Sequence, residues 1–190
     1  MALTPSTMNA LGTPAPDFSL PDTDGRTVSL ADFADSKVLL VMFICNHCPF
    51  VKHIADQLAA LGRDYGGRGV GIVAISANDV ENYPDDGQEQ MAVEKSARGY
   101  TFPYLLDESQ AVALAYRAAC TPDFFVYDGD RRLFYRGQLD DSRPDSGIPV
   151  TGTDLRAALD AALEGAAAPS EQKASIGCNI KWKAGNEPGY

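Results

Sequence analysis

The sequence predicts an α/β fold. Three observations carry that prediction. Val38-Leu39-Leu40-Val41-Met42-Phe43-Ile44 and the run Val70 to Ile75 are unbroken apolar stretches of strand length. Between them Val51, Ile54, Leu58 and Leu61 recur at helical spacing. Farther on, Phe124-Phe125-Val126-Tyr127 and Leu133-Phe134-Tyr135-Arg136 flank the turn Asp128-Gly129-Asp130, as in a β-hairpin.

Taken in order, residues 1–11 read as a loose leader. Phe18 and Leu20 alternate with polar neighbours, Asp22-Thr23-Asp24-Gly25 is a turn, and Thr27-Val28-Ser29-Leu30 resumes the alternation. This predicts an N-terminal hairpin, with Asp22 and Asp24 serving turn chemistry rather than calcium. The strand 38–44 follows, then a helix over about 48–61 that Gly62, Gly66, Gly67 and Gly69 bring to an end. Residues 70–75 form the next buried strand, and 88–98 a polar helix stopped by Gly99. Residues 102–106 predict a short strand and 109–118 a helix carrying Val112, Leu114, Ala115 and Tyr116. Cys120-Thr121-Pro122-Asp123 leads into the hairpin. Leu155, Ala158, Leu159, Ala162 and Leu163 mark a last amphipathic helix, capped by Thr151 or Thr153. One domain over 12–164 results. The tail 165–190 is rich in Ala, Gly and Pro but holds Cys178, Ile180 and the only tryptophan, Trp182, so it is expected to fold back on the domain. The acidic pairs Asp85-Asp86 and Asp140-Asp141 read as solvated loop charges.

Composition narrows the function. A net charge of −10 opposes nonspecific nucleic-acid binding, which needs a positive surface. No apolar run approaches the ~20 residues that span a bilayer. The first residues have neither the basic segment nor the apolar core of a secretory signal, so a cytoplasmic location is expected. The 4 cysteines are too few for a disulfide scaffold in a chain of 190 residues. In a reducing compartment a Cys-x-x-Cys pair is more often catalytic or metal-binding than structural.

That pair is Cys45-Asn46-His47-Cys48, set between an apolar strand and a helix. A helix start offers unpaired N–H groups and the positive end of the macrodipole, and these favour a thiolate. The first thiol, Cys45, is expected to face them. Two intervening residues keep the sulfurs close enough to close one small disulfide ring, so the motif reads as a dithiol that exchanges electrons. The competing readings are inert buried thiols and a metal site, for which His47 and His53 complete a Cys2His2 set by count. Zinc sites usually draw on two separated ligand pairs, and this set is crowded at one helix start. Nothing in the chain suggests an organic cofactor.

Cys-x-x-Cys after one strand, with Thr121-Pro122 before a later hairpin, resembles the thioredoxin fold. Gly12-Thr13-Pro14-Ala15-Pro16-Asp17-Phe18 and Ser29-Leu30-Ala31-Asp32-Phe33 resemble the entry of its AhpC/TSA (peroxiredoxin and redoxin) branch. Cys45 to Lys52, Cys120 to Phe125 and Asp140-Asp141-Ser142-Arg143-Pro144 are similar to bacterial peroxiredoxin-like thioredoxin-family proteins. The resemblance implies a central mixed sheet flanked by helices. It makes Cys45 the nucleophile and Cys48 the resolving thiol, with His47 lowering the pKa of Cys45. Pro122 becomes a cis-proline and the Thr121 backbone a substrate contact. Cys120 and Cys178 are either auxiliary thiols or packing residues.

Two features depart from the pattern. Leu39 stands where thioredoxins keep a buried Asp, and Cys45 stands where peroxiredoxins keep a Thr ahead of the peroxide-attacking cysteine, which aligns with Cys48. The arginine expected near Thr121-Pro122 is also missing from that segment. The implied activity is thiol–disulfide exchange with protein or small-molecule disulfides, with electrons from thioredoxin or glutathione systems. The alternatives are a thiol peroxidase acting on hydroperoxides, and a metal-binding or redox-sensing module.

Overall fold

The computed structural model describes residues 3–190. From the N-terminus, β1 is Leu3–Pro5, β2 Ser19–Pro21, β3 Thr27–Ser29, β4 Val38–Phe43, α1 Pro49–Tyr65, β5 Val70–Ser76, α2 Gln88–Arg98, β6 Tyr104–Leu106, α3 Ala111–Tyr116, β7 Cys120–Thr121, β8 Asp123–Tyr127, β9 Leu133–Gly137, α4 Thr153–Leu163 and β10 Ile176–Asn179. The main sheet has the order β6-β5-β4-β8-β9. β4 runs parallel to β5 and antiparallel to β8, so the sheet is mixed.

An all-apolar strand needs cover on both faces, and β4 receives it. Leu40, Met42 and Ile44 pack with Ile54 and Leu58 of α1 and Leu155 and Leu159 of α4. Leu39, Val41 and Phe43 pack with Tyr116 of α3, and with Phe18, Leu20 and Val28 of the N-terminal hairpin. Each such side chain contributes about 1.5–3 kcal/mol when fully buried. The expected hairpin is β2–β3, and the Asp22 carboxylate accepts the Asp24 and Arg26 N–H groups across its turn. The final helix is capped by Gly152, in a left-handed conformation, rather than by Thr151 or Thr153.

The leader differs from the sequence reading, and the tail supplies a strand that this reading did not contain. Residues 1–2 of the expected leader lie outside the described residues. Leu3–Pro5 is not loose: β1 pairs with β10, and β10 pairs with β7, in a second sheet. The tail continues over the domain, with Ile180 buried and Trp182 packed on the α3 side of the core. Neither β1 nor β10 alternates clearly over its few residues, so periodicity gave no strand signal there.

β8 begins with a fully buried carboxyl. Asp123 sits opposite Phe43, with no exposure. Burial pushes its pKa up from 3.8 to about 7, against backbone N–H groups of Ala119, Phe124 and Cys120 that favour the anion. A carboxyl raised in the folded state favours folding while it is protonated. Its contribution is full below pH 3.8 and is lost as pH rises through about 7. Wild-type stability is therefore expected to fall across that window, by ~4 kcal/mol from this group at ~1.4 kcal/mol per pKa unit. Denaturant unfolding of wild type and Asp123→Asn, compared over the same pH range, checks it: the variant should lack this slope.

Candidate active site

The strand-to-helix junction after β4 places the dithiol. Pro49 is the first residue of α1 and Cys48 is the N-cap. Proline suits that position because its missing N–H is unpaired there in any case. The helix start therefore faces Cys48, not Cys45, and corrects the expectation drawn from the motif alone. Pro49 was the signal in the sequence that fixes this.

Both thiols are enclosed, with Cys45 2% and Cys48 0% exposed. The Thr121–Pro122 peptide is cis, as expected, and Thr121 reaches both sulfurs. Its Oγ1 lies 3.4 Å from Cys45 Sγ. Its carbonyl oxygen lies 3.2 Å from Cys48 Sγ and accepts the S–H when Cys48 is protonated. A third sulfur joins them: Cys178 Sγ is 3.0 Å from Cys48 Sγ.

The charge settles on Cys48. A hydrogen bond from the Cys45 thiol is the largest cause that brings it down to about 4. Burial opposes this, and Cys178, Thr121 and the Val51 N–H assist it. Cys45 is pushed well above the usual thiol range by that same bond, by burial, and by the Asp86 carboxylate. Cys120 is also held protonated, chiefly by burial, and its S–H donates to the Pro122 carbonyl at 3.5 Å. Of the two auxiliary thiols, Cys178 touches the dithiol, while Cys120 serves the Pro122 turn.

His47 faces Asp86. Its Nδ1 lies 2.6 Å from Asp86 Oδ2, and its ring stacks on Tyr83. Asp86 is fully buried, which corrects the reading of Asp85-Asp86 as two solvated charges; only Asp85 is exposed. Asp86 Oδ1 accepts the Asn46 N–H at 2.8 Å and the His47 N–H at 3.2 Å, and Oδ2 accepts Asn78 Nδ2 at 2.8 Å. Asn78 Oδ1 in turn accepts the Lys181 N–H, which ties the tail to the cysteine loop. Asp140 is likewise buried, its carboxylate accepting the N–H groups of Ser142, Thr151 and Gly152, while Asp141 stays outside in an ion pair with Lys173. Adjacent acidic residues on a loop point opposite ways, and no local pattern says which one turns in.

Residues 11–136, more than half of the chain, match the model of the AhpC/TSA family. The chain belongs to the AhpC/TSA family. A peroxiredoxin-like protein of Mycobacterium tuberculosis (strain ATCC 25618 / H37Rv) is 34% identical over 117 residues, 61% of this chain and 69% of that one. The thiol-disulfide oxidoreductase ResA of Geobacillus thermodenitrificans is 31% identical over 134 residues, 68% of this chain and 70% of that one. The solved structure of a hypothetical protein, SMc02350, from Sinorhizobium meliloti is 55% identical, with a TM-score of 0.94 over 96% of this chain and all of that one. The thioredoxin domain of an oxidoreductase from Bacteroides vulgatus superposes with a TM-score of 0.58 at 20% identity, over 71% of this chain and 90% of that one. The fold is thioredoxin-like.

Against that family background two features stand out. The Thr121 backbone, implied as a substrate contact, pairs with Cys178 of the chain's own β10. Gly177 allows the approach, since a Cβ there would meet the Thr121 carbonyl oxygen. Arg143 lines a small cavity with Pro122 and Ser175 but does not reach the sulfurs in the place of the arginine missing from the Thr121-Pro122 segment. Its guanidinium is committed to Gln138 Oε1 and to the carbonyls of Asp140 and Ser142. The metal reading also meets the geometry. Ligand-type atoms of Cys45, His47 and Asp86 lie within 4.8 Å of one another, and His53 is not in the group. The Asp86 carboxylate accepts the N–H groups of Asn46, His47 and Asn78, and its Oδ2 also lies against His47 Nδ1.

Asp86 and Asp85 give a paired test. Asp86→Ala strands four donors and is expected to cost about 3 kcal/mol or more, while Asp85→Ala stays within ~0.5 kcal/mol. Denaturant unfolding of both variants measures the difference.

Proposed function

We propose that the chain is a thiol–disulfide oxidoreductase working through Cys45 and Cys48. The observation that carries this reading is the placement of both thiols at the start of α1 against one residue, Thr121, whose Oγ1 lies 3.4 Å from Cys45 Sγ and whose carbonyl oxygen lies 3.2 Å from Cys48 Sγ. Cys45 adjoins Asn46 and His47, which are partly exposed, whereas Cys48 is enclosed by α1, Thr121 and Cys178. Cys45 therefore takes the substrate. Cys48 accepts its proton, Cys45 Sγ attacks one sulfur of the disulfide, and the other sulfur leaves as a thiol or thiolate. Cys48 gives up that proton to a departing substrate sulfur and attacks Cys45 Sγ as a thiolate, expelling the second substrate sulfur and closing the Cys45–Cys48 disulfide. Two electrons pass from the dithiol to the substrate. A thioredoxin or glutathione system restores the dithiol.

One observation favours a second reading, a thiol peroxidase. Cys48 is the sulfur with convergent donors and a pKa of about 4, and a permanent thiolate is what attack on a hydroperoxide requires. The enclosure of both thiols also suits a small substrate better than a folded protein, unless β10 moves.

Two measurements separate these. Cys45→Ser and Cys48→Ser are exposed separately to a protein disulfide and to hydrogen peroxide, and read by intact mass. Cys48→Ser should trap a mixed disulfide at Cys45, with Cys45→Ser forming none. Rapid oxidation by peroxide starting at Cys48 in Cys45→Ser, with no trapped disulfide in the other variant, would establish the peroxidase instead. In the second measurement, thiolate ultraviolet absorbance of the reduced wild type should titrate near pH 4. Cys45→Ala removes the main donor to Cys48, so its midpoint should move upward.

A further inference from the structure

We propose that Cys178 is a third redox thiol, which attacks Cys48 Sγ of the Cys45–Cys48 disulfide and moves that disulfide into the tail. The inference rests on the dithiol reading above and extends it. Cys178 and Cys48 are 130 positions apart in the chain, and their sulfurs are 3.0 Å apart. A disulfide needs ~2.05 Å, so closure asks for a shift of about 1 Å. Both residues are buried, at 0% and 2% exposure, which removes competing thiols from solution. The position of Cys178 is fixed rather than incidental. β10 pairs Cys178 with Thr121, and the same Thr121 contacts Cys45 and Cys48. Gly177 lets the strand come down on the Thr121 carbonyl, and Ser175 Oγ donates to the Pro122 carbonyl at 2.6 Å.

The step balances internally. The Cys48–Cys178 bond forms and the Cys45–Cys48 bond breaks. The proton of Cys178 ends on Cys45, and no electrons enter or leave. Cys48 is the shared member of both disulfides because it contacts both other sulfurs. The surroundings of Cys178 suit the sequence of events. Its pKa is pushed up to about 12 by burial and by contact with Cys48, and the second of these causes vanishes once Cys48 is in a disulfide. After transfer Cys45 is again a thiol beside its surface loop, while β10 is tied covalently to the start of α1. The oxidised bond is then shielded, and a reductant reaches it through movement of β10 or by return of the bond to Cys45.

The test uses the full-length reduced chain oxidised with diamide, then acid-quenched, alkylated and mapped by non-reducing proteolysis and mass spectrometry. Cys45→Ser is oxidised and mapped in parallel. The wild type should yield both Cys45–Cys48 and Cys48–Cys178 linked peptides, the second growing with time as alkylation of Cys178 is lost. Cys45→Ser should go directly to Cys48–Cys178. If the wild type forms Cys45–Cys48 while Cys178 stays fully alkylated, and Cys45→Ser forms no linked pair, the relay is wrong and the dithiol reading stands. If the wild type forms neither linkage, the dithiol reading itself falls, and the relay with it.

Discussion

The site depends on one residue with three handles. Thr121 presents its hydroxyl to Cys45, its carbonyl to Cys48 and its backbone edge to Cys178. The Thr121–Pro122 peptide is cis, and the turn is buried. Sulfur makes weak hydrogen bonds, so the sulfurs are positioned more by the backbone around them than by their own contacts. The sheet supplies that backbone. β4 delivers Cys45, and its antiparallel neighbour β8 starts directly after the Thr121-Pro122 turn.

Electrostatics then divides the labour among the thiols. The pKa of the N-cap sulfur, Cys48, is brought down chiefly by its interaction with Cys45. Cys45 keeps its proton because Cys48 takes its hydrogen bond and because Asp86 stands nearby. Asp86 in turn is held by four N–H donors, so it acts as the rigid centre of the Asn46-His47 loop rather than as a mobile base. In the proposed reaction the proton acceptor for Cys45 is its own partner thiolate. That arrangement works without the buried acid that thioredoxins place at the position of Leu39.

The tail closes the edge that the cis-proline turn would otherwise expose. β10 covers Thr121, Lys181 reaches Asn78, and Asn78 reaches Asp86. Tail, cysteine loop and dithiol are therefore one connected unit. Relatives named as oxidoreductase and as peroxiredoxin-like both match this chain, over 68% and 61% of its length.

Local signals were enough for the frame. Apolar runs gave β4 and β5, helical spacing gave α1 and α4, Gly99 ended α2 where expected, and Thr121-Pro122 with Cys45 and Cys48 pointed to the fold. Pro49 even encoded that Cys48, not Cys45, caps α1. These features are legible because period, capping and turn chemistry act over a few residues. The rest was decided by contacts between distant segments. Nothing near Asp86 marks it as buried, since its partners come from the cysteine loop and from Asn78. Nothing near Cys178 marks it as the third sulfur, because β10 is short, half-exposed and defined only by the strands on either side of it. The surroundings of the thiols are a tertiary property for the same reason: beside the local Cys45 and Val51, Cys48 meets Thr121 and Cys178 from distant parts of the chain.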